Sequence, residues 1–565
     1  MNPEAPSQSN CRVQHFDGGC VSLVMRNPIP SSLQSLCALG CSLVLVAACG
    51  PTPSLQIHPP ESPDSGTPPP VRAQATVEQG VLRGQDLGAS IAFLGVPYAA
   101  PPVGALRWQA PAAAGPWSGV RDATSFASAC IHLNTENVVQ GGSEDCLYLN
   151  VWTPSVAPAK ALPVLVWIHG GFYLNGAGSL PGYNGRYLSE HGPAVVVTLN
   201  YRLGALGFIN HPALDAESAT GTSGNYGIMD QIAALGWVQR NIGKLGGDPK
   251  QVMIFGASAG GGSTCLLYTS PLAQGLFSSA IAESTSCNAV VSSVGGEKTF
   301  NTLATNLGCS PGASFLSCLR SKDAQAVMTA YPTSYTNLTS HRWSVWVDGH
   351  VVPDLPMNVI AQGKQNKVPF IIGTTSNEYS TLMSHYLTTP PANELDYETA
   401  ARSMVGVAAG NAALPHYLAS DYPSYAEALI SMASDRFMVC PTRTVARAIA
   451  KSGAPVRRYL FDHTYESGNS AALGAGHYMD VPFQFHNLAI EGFVASPAEG
   501  ALSDTMVGYW TRMAAQGDPN GAGAPVWPAY DAAADLTLVL DDIVHATPAG
   551  VRTAPCDFWD AFLGL

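Results

Sequence analysis

The feature that most constrains this chain is a set of short, unbroken runs of β-branched and apolar residues. They are PVLVWI (Pro163–Ile168), AVVVTL (Ala194–Leu199), QVMIFG (Gln251–Gly256), VPFIIG (Val368–Gly373) and VRRYLF (Val456–Phe461). A strand with one face in water alternates apolar and polar residues. Runs that do not alternate have both faces covered, as in a parallel sheet sandwiched by helices. Between the second and third runs, Ile228, Ile232, Leu235 and Ile242 recur at helical spacing, as a crossover between parallel strands requires. The expected fold class is α/β, with a large, mostly parallel central sheet flanked by helices.

Sheets of this kind place their sites beyond the carboxyl ends of strands. QVMIFG leads into Gly256-Ala257-Ser258-Ala259-Gly260, the G-x-S-x-G pattern of a sharp strand-to-helix turn that exposes a serine hydroxyl. A serine hydroxyl is a weak nucleophile until a base takes its proton, and that base needs a carboxylate to fix its tautomer and stabilise its cation. The order Ser, acid, His is met by Glu378 after VPFIIG and His477 after VRRYLF. Asp348, Asp435 and Asp462 are other carboxylates in the same half of the chain and stay open as alternatives to Glu378. The negative oxygen of a tetrahedral intermediate must meet preorganised N–H donors. The loop after PVLVWI reads His169-Gly170-Gly171-Phe172, so Gly171, Phe172 and Ala259 are the candidate donors, with His169 shaping the loop.

Composition narrows the class further. Of 565 residues, 46% are hydrophobic and 12% charged, with a net charge of −13. The basic residues are scattered, so the electrostatic footprint of a nucleic-acid binder is missing. Thirteen cysteines without a C-x-x-C pair point to disulfides in an exported protein rather than to a zinc or redox site. No metal and no cofactor is implied. The apolar run Leu36–Ala48, preceded by Arg26 and followed by Cys49, has the shape of a signal peptide and is too short for a membrane span. Val46-Ala47-Ala48-Cys49 resembles a bacterial lipoprotein box, which makes Cys49 a candidate for acylation and membrane anchoring; ordinary cleavage after Ala48 is the alternative. Met25 directly precedes Arg26 and offers an alternative start. The expected organisation is a leader over 1–48 (1–24 upstream of that start, 25–48 the signal peptide), a Pro/Ser-rich tether over 49–72, and a catalytic domain over 73–565.

Longer segments carry a family resemblance. FLGVPYAAPPVGALRW (Phe93–Trp108), SEDCLYLNVWTP (Ser143–Pro154), GNYGIMDQ (Gly224–Gln231), GGDP (Gly246–Pro249) and GDPN (Gly517–Asn520) resemble segments of the type-B carboxylesterase and cholinesterase-like family, from about Ala73 to Leu565. The resemblance implies an α/β-hydrolase fold, a Ser258, Glu378, His477 triad and a small-molecule ester substrate. It also implies disulfides Cys130–Cys146, Cys309–Cys318 and Cys440–Cys556, leaving Cys265 and Cys287 as buried free thiols. Three departures bear on specificity. Ala257 stands where the family usually has Glu, Phe172 replaces the third glycine of the oxyanion loop, and Tyr379 follows the acid. Residues 131–145 contain no Trp, so the tryptophan that cholinesterases use for quaternary ammonium groups is missing from the first loop. The expected activity is serine carboxylesterase. Amide or carbamate cleavage by the same residues, and a non-catalytic binding protein on the same fold, are the alternatives.

Overall fold

The structure, a computed structural model, describes residues 71–565 apart from 135, 289–290, 293–295, 332–342, 388, 468–472 and 490–492. The leader, Cys49 and nearly all of the tether lie outside the described residues. Among those described, no helix is long and apolar enough to cross a membrane.

A 13-stranded sheet organises the chain. Its antiparallel edge is made by β1 (Gln74–Val77), β2 (Gly80–Asp86), β3 (Ile91–Pro97), β4 (Val120–Ala123), which lies parallel beside β2, and β5 (Tyr148–Thr153). The parallel centre follows with β6 (Leu162–Ile168), β7 (Val195–Leu199), β8 (Gly247–Ala257), β9 (Ser279–Glu283), β10 (Phe370–Thr375), β11 (Val456–Phe461) and β12 (Leu538–Leu540), and β13 (His545–Ala546) closes the far edge. Neighbouring strands run in the order β1-β2-β3-β5-β7-β6-β8-β9-β10-β11-β12-β13. Every pair from β7 to β12 is parallel. All five runs singled out in the sequence are central strands.

The period of two along each strand divides the core between the two faces of the sheet. Val164, Val166 and Ile168 of β6 join one cluster with Val195 and Val197, whereas Leu165 and Trp167 join another with Val196 and Phe255. On the first face lie α1 (Tyr226–Asn241), through Ile228 and Leu235, and α2 (Ala259–Thr269), through Leu266 and Leu267. A third cluster gathers Tyr379, Leu429, Val439 and Trp559. It is built from α3 (Tyr379–Tyr386), α4 (Tyr425–Ser434), α5 (Cys440–Lys451) and the later helix α7 (Thr553–Leu563). The second face is covered by α6 (Pro497–Gln516), through Leu502, Met506 and Trp510.

Four disulfides tie the fold together: Cys130–Cys146, Cys265–Cys287, Cys309–Cys318 and Cys440–Cys556. The pairing of Cys265 with Cys287 corrects the free-thiol reading. Cys265 is buried on α2 and Cys287 just beyond β9, and the close approach of helix and strand leaves their Cα atoms 5.3 Å apart, inside the usual disulfide range. Closing the loop of 116 residues between Cys440 and Cys556 is worth about 4–5 kcal/mol in the chain-entropy picture.

Candidate active site

The register of the parallel strands brings four carboxyl ends to one edge. Ile168 of β6 and Ala282 of β9 both lie opposite Gly256 of β8, and Glu283 lies opposite Gly373 of β10. The segments that leave this edge carry the candidate chemistry.

Ser258 stands between β8 and α2 with φ 59° and ψ −122°, a left-handed conformation that costs a non-glycine residue about 1–3 kcal/mol and persists only when its surroundings enforce it. They do so on both sides. The Ser258 N–H donates to the Glu283 carbonyl at 3.0 Å, and the Gly262 N–H donates to the Ser258 carbonyl at 2.8 Å. Small neighbours are obligatory, because a Cβ on Gly256 would stand 2.5 Å from the Ile168 carbonyl oxygen and one on Gly260 would collide with the same oxygen. Ala259 is the first residue of α2, so its N–H has no intrahelical acceptor and faces outward from the helix start.

The loop after β6 packs directly on the nucleophile turn. A Cβ on Gly170 would come within 3.0 Å of the Ser258 Cβ, and the Gly170 N–H donates to the Tyr478 hydroxyl at 2.7 Å. Gly171, Phe172 and Tyr173 all take positive φ, of 103°, 57° and 56°. The Leu174 and Asn175 N–H groups close the turn on the Gly171 carbonyl, each at 2.9 Å. His169 is buried with its ring stacked on Tyr201 at 4.4 Å. Burial lowers its pKa to about 4, so at neutral pH it is an uncharged support of the loop.

Glu378 is fully buried at the start of α3. One carboxylate oxygen accepts from the Thr374 hydroxyl and from the Thr375 N–H at 3.0 Å, and the other meets Nδ1 of His477. The His477 N–H also donates to the Glu378 carbonyl at 3.2 Å. Burial pushes the Glu378 carboxyl up, but the charge and hydrogen bond of His477, with the Thr374 hydroxyl, hold it below its ordinary value. The three alternative acids do other work or lie apart. Asp348 accepts from Asn225 and from the backbone of His350 and Val352. Asp435 accepts from the Tyr417 hydroxyl and pairs with Arg552 at 3.6 Å. The Asp462 N–H belongs to the β11–β12 edge, donating to the Leu540 carbonyl.

Two cavities meet at Ser258 and His477, one of about 260 Å³ and one of about 330 Å³. The first runs past Ala259, Tyr379 and Phe437, the second past Gly170, Gly171 and Tyr183, and Phe172 lines both. The side chains can therefore activate a serine, hold its base in one tautomer and present N–H groups at the same point, with space on either side for the two arms of a substrate.

Several contributors carried no local signal in the sequence. The Glu283 carbonyl orients the Ser258 backbone, the Thr374 hydroxyl donates to Glu378, and Tyr478 braces the loop from a position 308 residues away. The adjacency of Tyr478 to His477 is the one hint the sequence offers for it.

The profile of the carboxylesterase family matches residues 71–559. Among curated proteins, the chain is 33% identical over 492 residues to fumonisin B1 esterase of Sphingopyxis macrogoltabida, covering 84% of this chain and 87% of that protein. It is 32% identical over 527 residues to the medium-chain fatty acyl-CoA hydrolase precursor of Anas platyrhynchos, covering 86% and 91%. Against acetylcholinesterase of Bungarus fasciatus it is 32% identical over 535 residues, covering 87% and 86%. Among solved structures, a PNB esterase superposes with a TM-score of 0.73 at 31% identity, over 86% of this chain and 100% of that one.

Proposed function

The chain belongs to the carboxylesterase family and is a carboxylic ester hydrolase; from that premise we propose that Ser258, His477 and Glu378 are its catalytic triad. His477 removes the Ser258 proton as the hydroxyl oxygen attacks the ester carbonyl, and Glu378 holds the imidazole and balances its positive charge. The N–H groups of Gly171, Phe172 and Ala259 receive the developing oxyanion. His477 returns the proton to the departing alcohol, leaving an acyl-Ser258 ester. It then activates water, which releases the acid and restores the hydroxyl. The observation that carries this reading is the convergence of the strained Ser258 turn, the Gly170–Phe172 loop and the Glu378–His477 pair on one sheet edge.

The test is hydrolysis of p-nitrophenyl esters from acetate to laurate by the protein and its Ser258→Ala variant. Turnover of the short esters, with a loss of about 10⁶-fold in the variant, is expected. Equal inertness of two folded, correctly oxidised proteins would remove the triad assignment. Comparing an ester with its matched anilide in the same assay measures amide cleavage.

Four disulfides in the described chain point to an oxidising compartment. We infer that residues 1–48 are a leader, that Cys49 is acylated, and that the Pro/Ser-rich segment to residue 72 holds the hydrolase at 73–565 off the membrane. The support is the apolar run ending in Val46-Ala47-Ala48-Cys49. Cys49→Ser moves the protein from the membrane fraction to the soluble fraction if this is right, and an unchanged distribution rejects it.

A further inference from the structure

Between α4 and α5 the chain makes a π-helical turn, Asp435–Val439. Such widened turns are uncommon and recur at functional sites. This one leaves Arg436, Phe437 and Met438 half-buried in a buried helical run, and all three line the 260 Å³ cavity that contains Ser258 and His477. The Arg436 guanidinium carbon lies 5.1 Å from the Phe437 ring and 5.4 Å from the Trp559 ring, a stacking that fixes a planar cation without neutralising it.

The surrounding carboxylates are otherwise engaged. Asp435 next to it serves Tyr417 and Arg552. One turn of α5 further on, Arg443 pairs with Asp557 at 2.9 Å and Asp560 at 2.7 Å, and Arg447 shares Asp560. Arg436 has no such ion pair among the described residues, and its buried Nε makes no hydrogen bond. No aspartate or glutamate lines the cavity among the described residues, and the position before Ser258 is Ala257. A half-buried guanidinium without an ion-pair partner, in a cavity lined by no aspartate or glutamate among the described residues, is a receptor for a carboxylate, whose oxygens match its donor fork.

Resting on the hydrolase reading above, we propose that the enzyme acts on esters that themselves carry a carboxylate, with Arg436 binding that carboxylate in the cavity beside Ser258. The assignment explains why a charged side chain is kept in a wall otherwise made of aromatic, aliphatic and hydroxyl groups.

The experiment uses two matched pairs: p-nitrophenyl hydrogen adipate with p-nitrophenyl hexanoate, and 4-acetoxybenzoate with its methyl ester. They place the carboxylate in the acyl arm and in the alcohol arm respectively. The quantity read is the ratio of kcat/KM for the charged to the neutral member, in the wild type, Arg436→Gln and Arg436→Lys. In at least one pair, Arg436→Gln lowers this ratio by about ten- to a hundredfold, as expected for loss of a charge-assisted hydrogen bond. Arg436→Lys retains part of the preference, because the charge survives and the fork does not. A ratio unchanged in both pairs overturns the proposal and leaves Arg436 as packing against Trp559. Neutral esters hydrolysed in a Ser258-dependent way with no Arg436-dependent ratio would sink this inference alone. If none of the four esters is turned over, the triad reading falls and this inference falls with it.

Discussion

Two buried glutamates serve the Ser258 site, and the fold shifts their carboxyl groups in opposite directions. Glu378 and Glu283 are both fully buried, so burial acts on each to favour the neutral acid. At Glu378 the imidazole of His477 and the Thr374 hydroxyl overcome that push, and the carboxyl lies below its ordinary value. At Glu283 the partners are the Gln484 amide at 3.0 Å and the Trp510 indole at 3.1 Å. These neutral donors do not overcome burial, and the charge of nearby Asp480 adds to it, so Glu283 is raised well above the ordinary range. The partner therefore sets the direction in which a carboxyl shifts at this edge, since depth of burial is common to both. One carboxylate faces His477, while the other side chain, its pKa raised by burial, braces β9 through Gln484 and Trp510, and its carbonyl holds the Ser258 N–H.

The sharpest way to break this comparison is to convert each acid to its amide. Glu378→Gln removes the ionised partner of His477 and is expected to lower kcat on p-nitrophenyl acetate by about 10⁴-fold. Glu283→Gln keeps the size of a side chain whose partners are both neutral donors, and is expected to cost no more than about tenfold in the same assay. Similar losses in the two variants would erase the distinction.

A smaller effect concerns how the two sides are fastened. The Cys265–Cys287 disulfide links α2, which begins at the nucleophile turn, to the segment following Glu283. The Cys265→Ala/Cys287→Ala double variant should lose about 2–4 kcal/mol in urea unfolding. An unchanged midpoint would mean that packing alone keeps helix and strand together.

The smallest effect is a slope. Burial, and then the charge of Glu378, push Asp480 up to about 6 against its hydrogen bond from Tyr459. Between its ordinary value of 3.8 and about 6, the unfolded chain has lost this proton while the folded chain keeps it. The contribution of Asp480 to stability is therefore full below that window and is lost as pH rises through about 6. Glu378 has the opposite sign: its contribution is present above its ordinary value of 4.5 and is lost as pH falls. Asp480→Asn should flatten the decline from about pH 4 to 6.5 by on the order of 1–3 kcal/mol in chemical unfolding. A profile parallel to wild type would mean that Asp480 does not carry this titration.

Much of this architecture was legible because central parallel strands are buried on both faces and so declare themselves as unbroken apolar runs. The nucleophile turn was legible for a related reason, since close packing on Ile168 and Glu283 admits only small residues beside Ser258. Strand β9, reading SAIAE, is too short and too alanine-rich to stand out, and with it went the partner of Cys265. Glu378 was preferred over Asp348, Asp435 and Asp462 on chain order alone, because its contact with His477 is a tertiary one that a linear pattern does not contain. Arg436 was invisible for a similar reason: an arginine in a helical run reads as surface until a π turn rolls it into a cavity.

The disulfide between Cys440 and Cys556 has a consequence for the order of events in synthesis. The cavity wall carrying Arg436 leads directly into Cys440, and the ring beneath its guanidinium is Trp559. Both the staple and the ring belong to a segment made more than a hundred residues later. A nascent chain can thus form the Ser258 turn before the segment that carries both Cys556 and Trp559 has been made.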